Sequence, residues 1–287
     1  IPIYYNEEIQ NYQIKVEEFE KMVEEDISKG LIPFWCGTTL GSTSLGCNDP
    51  IAEIAAVCKK HGIFLNVDAA WAGAALVVPE IREEIGKGLE GADSMPINFG
   101  KWNMCGNNSA VFFVADKLNY RESLLGGPTP EFLKNKYTNE YDIIDYKDWQ
   151  VGLGRRFNSL RFWYMIRRLG VEGMRENVTQ KIELAKVFEN HVKKNSRFEM
   201  ICKRELALVC WRLVKDKDGN RIAEDKINDV NKKLLDSVNA TNQYHLVGSV
   251  VQNMHFLRFV ICNHNTTQGH VEKFWNLIEE LSLKIFV

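Results

Sequence analysis

Two short runs that stop at polar residues, one over 63–67 ending at Asp68 and one over 94–98 stopping just before Lys101, constrain the fold of this chain most. Runs of this length read as strands of a parallel sheet, where both faces are covered. Helical patterns at 15–29, 50–61 and around 79–88 separate them from further strand-like runs at 31–36 and 110–115. That alternation builds a β/α sheet. Asp68 and Lys101 then stand at the carboxyl ends of neighbouring strands, and in open α/β sheets that edge is where ligands bind.

An amine and a carboxylate so placed are the minimum kit for holding pyridoxal phosphate (PLP). Lys101, in Asn98-Phe99-Gly100-Lys101-Trp102, offers the amine for a Schiff base with the aldehyde. Asp68, in Val67-Asp68-Ala69-Ala70, offers the carboxylate that keeps the pyridine nitrogen protonated, so that the ring accepts electrons. Taken singly, an aspartate after an apolar run is also a common helix cap, and a lysine beside a tryptophan also packs its stem on the ring. Their occurrence together, in order and in matching strand contexts, carries the cofactor reading.

Length and composition bound the alternatives. With 287 residues, 45% of them hydrophobic, the chain can bury a real core and is expected to form one large and one smaller domain. A net charge of -2 gives no nucleic-acid footprint. No apolar stretch approaches the roughly 18 residues of a membrane span, so no membrane partner is expected. The seven cysteines contain no C-x-x-C pair, and the six histidines show no H-x-x-x-H spacing. Neither a disulfide framework nor a metal is therefore expected, and a reducing, cytoplasmic location fits.

The alternation breaks over 123–149, which carries Gly126-Gly127-Pro128-Thr129-Pro130 and reads as a long functional loop. A helix is expected from Gly154 to about residue 168, with Phe157, Leu160, Trp163, Tyr164 and Ile166 along one stripe. Beyond Gly170, helices at 171–194, 223–239 and 267–284 alternate with strands at 198–202, 206–214 and 256–262. The expected division is a large domain over 1–170, including a mobile loop over about 122–149, and a small α+β domain over 171–287. Lys215 to Asn220 reads as an exposed turn. The chain opens with Ile1 and passes almost directly into a helical pattern, as a chain starting in mid-domain would.

Pro33-Phe34 leading to Gly41-Ser42-Thr43, Val67-Asp68-Ala69-Ala70-Trp71-Ala72-Gly73, Ala92-Asp93-Ser94, Lys101-Trp102, Asp145-Tyr146, Trp149-Gln150, Leu153-Gly154-Arg155-Arg156-Phe157 and Leu257-Arg258-Phe259-Val260-Ile261-Cys262 follow one another in order. In this the chain resembles the group II PLP-dependent decarboxylases, specifically the aromatic L-amino-acid decarboxylases. The resemblance implies an α/β chain of PLP-dependent transferase fold type I, comprising the C-terminal part of the large sheet domain and a smaller α+β domain. It implies Lys101 as the Schiff-base lysine, Asp68 as the partner of the pyridine nitrogen, Ala70 against the ring face, and Thr43 and Asn98 in contact with the cofactor. Gly154 matches a position that lines the partner subunit's substrate pocket in the family's homodimer, with a helix-start glycine as the alternative reading. The implied reaction is decarboxylation of an aromatic L-amino acid to its amine.

Three departures from the family pattern bear on that reading. Phe99-Gly100 stands where the family has Pro-His, which removes a side chain near the cofactor phosphate and loosens the turn that aims Lys101. Counting back from Asp145-Tyr146, Phe132 falls where decarboxylases carry the tyrosine that reprotonates the carbanion, and phenylalanine has no proton to give. That exchange resembles the aromatic aldehyde synthases, in which the carbanion meets oxygen; Tyr137, five residues on, is the alternative donor. The third departure is the family's upstream segment, with its phosphate-loop serine and ring-stacking histidine, so the chain reads as a fragment. A third reading follows: an inactive member kept for interaction.

Overall fold

In a computed structural model, residues 1–102, 104–125, 130–137 and 145–286 are described. The Gly126 to Thr129 part of the expected loop, and its 138–144 part, lie outside them.

The chain opens with a hairpin, β1 (Ile3–Asn6) and β2 (Asn11–Ile14), followed by α1 (Val16–Ser28). Next come β3 (Trp35–Thr39), α2 (Ile51–His61), β4 (Phe64–Asp68), a 3-10 turn over Ala72–Val77, α3 (Pro79–Ile85), β5 (Ser94–Asn98), a 3-10 turn over Phe99–Trp102, and β6 (Ala110–Val114). The sheet order is β3-β4-β5-β6, with β3, β4 and β5 parallel and β6 antiparallel to β5. Parallel running is what brings Thr39, Asp68 and Asn98 to one edge.

Local chemistry explains these elements. In β4, Leu65 and Val67 are fully buried under α2, whose Ile54, Val57 and Cys58 face them. Helix α2 ends at Gly62 in the left-handed region (φ 68°), after Lys59, Lys60 and His61 in its last turn, where positive charge favours the helix dipole. Register is pinned by Asp93, whose Oδ2 accepts from the Leu65 N–H at 2.7 Å, and by Ser94 Oγ, which donates to Asn66 Oδ1 at 2.8 Å. The expected strand at 31–36 is displaced: pairing with β4 begins at Trp35 opposite Phe64, and Leu31, Ile32 and Phe34 remain exposed.

After α4 (Lys117–Leu125), 3-10 turns at Glu131–Leu133 and Tyr146–Trp149 lead to α5 (Ser159–Lys194). The second turn is clamped by Asp148, 2% exposed, which takes Arg121 at 2.9 Å and Lys147 at 2.7 Å. Burial pushes the Asp148 carboxyl up, but the hydrogen bonds from Lys147 and Arg121 outweigh it and hold the group below the usual carboxylate range. Helix α5 starts five residues later than expected and runs as one element broken at Gly170.

The remaining elements are β7 (Phe198–Met200), β8 (Leu208–Leu213), α6 (Glu224–Ala240), β9 (Val247–Val251), β10 (Met254–Val260) and α7 (Gln268–Lys284). They form an antiparallel sheet of order β7-β8-β10-β9, packed by α5, α6 and α7. Its core is aromatic: Phe188 stacks on Phe259 at 4.0 Å, and its ring lies 5.8 Å from that of Trp211. Fully buried Asn231 bridges the N–H and the carbonyl of Leu213 at 2.8 and 2.9 Å. No helix among the described residues is long and apolar enough to cross a membrane.

Candidate active site

Three loops leave the carboxyl edge of the β3-β4-β5 sheet and are tied to one another. Gly41, after β3, has φ +80°, and a Cβ there would lie 2.6 Å from the Ala72 Cβ and 2.9 Å from the Trp71 ring. Only glycine allows that approach without a shift. Gly73 is equally confined, since its Cβ would lie 2.7 Å from Ile97 of β5. The small-residue run Ala69-Ala70, Ala72-Gly73-Ala74 thus lets the turn after β4 lie flush on β5.

The loops carrying Asp68 and Lys101 are joined directly. The Asn98 N–H donates to the Ala70 carbonyl at 3.0 Å, and Trp102 Nε1 donates to the Trp71 carbonyl at 2.6 Å. The two indoles stack with centroids 5.8 Å apart and 14° between planes. Asp68 is exposed and its Oδ1 accepts from the Ala70 N–H at 3.0 Å; Lys101 is exposed beyond the end of β5. Asn98 turns its Oδ1 to the Gly100 N–H at 2.9 Å, and its Nδ2 has no partner among the described residues. Thr43 lies exposed in the turn after β3, beside Ser42, whose Oγ meets Cys47 Sγ at 2.8 Å. The structure therefore gathers Thr43, Asp68, Ala70, Asn98 and Lys101 at one sheet edge.

Gly100 has ordinary backbone angles, and a Cβ on it would meet Asn98 Oδ1 at 3.0 Å and the Gly106 carbonyl at 3.1 Å. A histidine there requires both neighbours to give by a few tenths of an ångström. Phe132 stands on the Glu131–Leu133 turn with its side chain 82% exposed, and Tyr137 is exposed as well, under the Lys136 ammonium at 4.6 Å from its ring centre. Gly154 is exposed and open, with nothing within 4 Å of a Cβ. It does not start α5, which begins at Ser159, so the helix-start reading of this glycine is corrected.

Behind these residues lies a layer of contacts that no sequence motif announces. From β10, Arg258 Nε donates to the Ser44 carbonyl at 3.0 Å, next to Thr43, and from β9 Ser249 Oγ donates to Ser44 Oγ at 2.9 Å. Burial pushes the Cys262 thiol up, against the pull of Lys181, Arg258 and Lys101. From α5, Lys181 donates to the Trp102 carbonyl. The signal for Lys181 was present: it occupies an apolar stripe with Val178, Leu184, Ala185 and Phe188, all buried. Elsewhere, Glu20, Glu24 and His61 bring ligand atoms within 4.8 Å of one another, and the Lys60 ammonium sits on both carboxylates at 2.7 and 3.3 Å.

A parallel sheet with a lysine and an aspartate at its carboxyl edge, followed by an antiparallel sheet under helices, defines a fold type I PLP-dependent protein. Residues 6–214 match the pyridoxal-dependent decarboxylase conserved domain, and the chain belongs to that family. It is 37% identical to the phenylacetaldehyde synthase of Arabidopsis thaliana and 36% identical to the tyrosine decarboxylase of Papaver somniferum, each over 94% of this chain. The match covers 54% and 53% of those relatives, so the chain spans about half their length. The structure of Oryza sativa TDC with PLP and tryptamine superposes with a TM-score of 0.88 at 31% identity, over 94% of this chain and 55% of that one.

Proposed function

We propose that this chain carries the lysine-bearing part of a PLP-dependent decarboxylase acting on an aromatic L-amino acid. One observation supports this above others: exposed Asp68 and Lys101 share a sheet edge, and their loops are hydrogen-bonded to each other. The donor set fits PLP. Lys101 would supply the amine for the aldehyde, and Asp68, oriented by the Ala70 N–H, would hold the ring nitrogen. Asn98 Nδ2 and the Thr43 hydroxyl would offer donors and Ala70 an apolar surface, while Gly154 would leave room for a bulky substrate in the pocket of a partner subunit. When bound, PLP supplies the sink for the electron pair released as the bond to the carboxylate breaks. Asp68 makes that sink effective, because a fixed carboxylate holds the proton on the ring nitrogen.

Whether a proton returns to the substrate carbon would rest on the loop. A phenylalanine at 132 cannot return a proton, which favours a second reading. In it, oxygen takes two electrons and leaves as hydrogen peroxide, CO2 is lost, and water cleaves the carbon–nitrogen bond to release aromatic aldehyde and ammonia. Aldehyde synthases and decarboxylases are both among its relatives, at 37% and 36% identity, so the choice of branch rests on the loop residue. Tyr137 is the donor on the decarboxylase branch. We further propose a homodimer, a cytoplasmic location consistent with seven free cysteines, and a division into 1–170 and 171–287 at the Gly170 break.

The test is the visible spectrum of the chain with added PLP, borohydride reduction and peptide mapping. An adduct on Lys101, absent in Lys101→Ala, is the expected result, followed by CO2 and peroxide assays with aromatic amino acids. The absence of a Lys101 adduct would leave an inactive relative.

A further inference from the structure

A buried lysine, with no acid beside it among the described residues, lies directly behind the turn that carries Lys101. Lys181 is 1% exposed, and among the described residues it forms no ion pair with a carboxylate. Its Nζ donates to the Trp102 carbonyl, and Asn177, one helical turn earlier on α5, donates to the same oxygen through Nδ2 at 3.4 Å. The Trp102 ring centre is 6.0 Å from the ammonium.

Packing does not explain a lysine here. Removing an ammonium from water costs several kcal/mol, and an apolar side chain of similar volume fills such a site without that cost. What the lysine adds is a charge-assisted hydrogen bond, stronger than a neutral one. The carbonyl it holds closes the Phe99–Trp102 turn immediately after Lys101. The other end of the turn is anchored through Asn98, by its bonds to the Ala70 carbonyl and the Gly100 N–H. Gly100, between the anchors, has the freedom of a residue without a Cβ, so an unanchored turn would spread over many orientations of the amine.

We propose that Lys181 is a positioning residue for Lys101: with Asn177 it fixes the Trp102 carbonyl and so aims the amine that meets the cofactor. This rests on the reading of Lys101 as the cofactor lysine. Burial pulls Lys181 down to about 8, with the Cys262 thiol as the titratable group facing it. Cys262 in turn is faced by Arg258 and Lys101. The anchor is therefore fully charged below that pH and weakens as pH rises through it.

The experiment compares wild type, Lys181→Met, Lys181→Arg and Asn177→Leu in two readouts. The first, without PLP, is amide hydrogen exchange at Met104 and Cys105, whose N–H groups bond back to the Phe99 carbonyl at 3.2 and 3.4 Å. The second is borohydride trapping of PLP on Lys101 at limiting PLP, from pH 6.5 to 9.5. Lys181→Met is expected to speed exchange and cut trapping, each about tenfold, without lowering the melting temperature. Lys181→Arg should restore most of both, and Asn177→Leu should move them the same way by less. The ratio of wild-type to Lys181→Met trapping should fall above about pH 8. Exchange and trapping equal to wild type in Lys181→Met would overturn the proposal. If wild type itself traps no PLP on Lys101, the functional reading fails, and exchange alone still decides whether Lys181 holds the turn. If Lys181→Met does not fold, unchanged exchange in Asn177→Leu together with no rescue by Lys181→Arg overturns it.

Discussion

Lys181 titrates at about 8 in the folded chain against 10.5 unfolded, so between those values the unfolded state binds a proton that the folded state does not. Stability therefore rises with pH across that window, and below it the buried charge is a cost of roughly 1–3 kcal/mol. Lys181→Met should be at least as stable as wild type at pH 7 in urea unfolding and should lose the rise toward pH 9.5. A Lys181→Met chain that keeps the rise would assign the slope to another group. Phe132 poses a separate question, because the side chain is exposed and its replacement disturbs no core. Phe132→Tyr should shift product from peroxide and aldehyde toward amine by tenfold or more, a change in the range that a positioned general acid supplies, about 10²-fold at the low end. Equal peroxide yields from the two would remove Phe132 from the reaction.

Among the elements, α5 shows how one residue decides direction. Gly170 has φ 62° and ψ -176°, a conformation open essentially to glycine, and it breaks an otherwise continuous helix. The segment before it brings Phe162 against Phe99 at 5.5 Å, and the segment after it brings Asn177 and Lys181 against Trp102. Both sides of the lysine turn are thus held from one helix through its bend. Gly170→Ala has open space around the new methyl, so its cost is purely of backbone strain, about 1–3 kcal/mol. A loss of unfolding free energy in urea smaller than that range would mean that α5 straightens without penalty. The β9–β10 hairpin turns on Gln252 and Asn253, with φ 46° and 65°, the two positive angles that a two-residue hairpin demands.

At the scale of the whole molecule, paired Trp35 and Phe64 lie 56% and 43% exposed side by side on one face of the main sheet. Exposed apolar surface of that kind favours association. Sedimentation velocity of the isolated chain should show concentration-dependent self-association, and Trp35→Glu with Phe64→Glu should reduce it. A strict monomer at every concentration would contradict the proposed homodimer for this chain.

The sequence by itself determined the alternating sheet and the placement of Asp68 and Lys101 at strand ends, because period, length and the polar stop are local properties. The strand over 94–98 and the helices after Gly170 were legible for the same reason. Only tertiary structure decided the start of β3, where pairing with Phe64 overrode an apolar run beginning at Leu31. The β1–β2 hairpin was illegible because its four-residue strands turn at Gln10, a non-glycine with φ 51° that sequence pattern does not announce. The convergence of Asn177 and Lys181 on the Trp102 carbonyl was hidden too. It joins residues 75 and 79 positions apart, and whether a lysine on an apolar helix stripe is solvated or buried depends on what packs over it. Local pattern fixes what an element is, and long-range contact fixes which groups meet, since only the folded chain sets the desolvation that gives a buried charge its role.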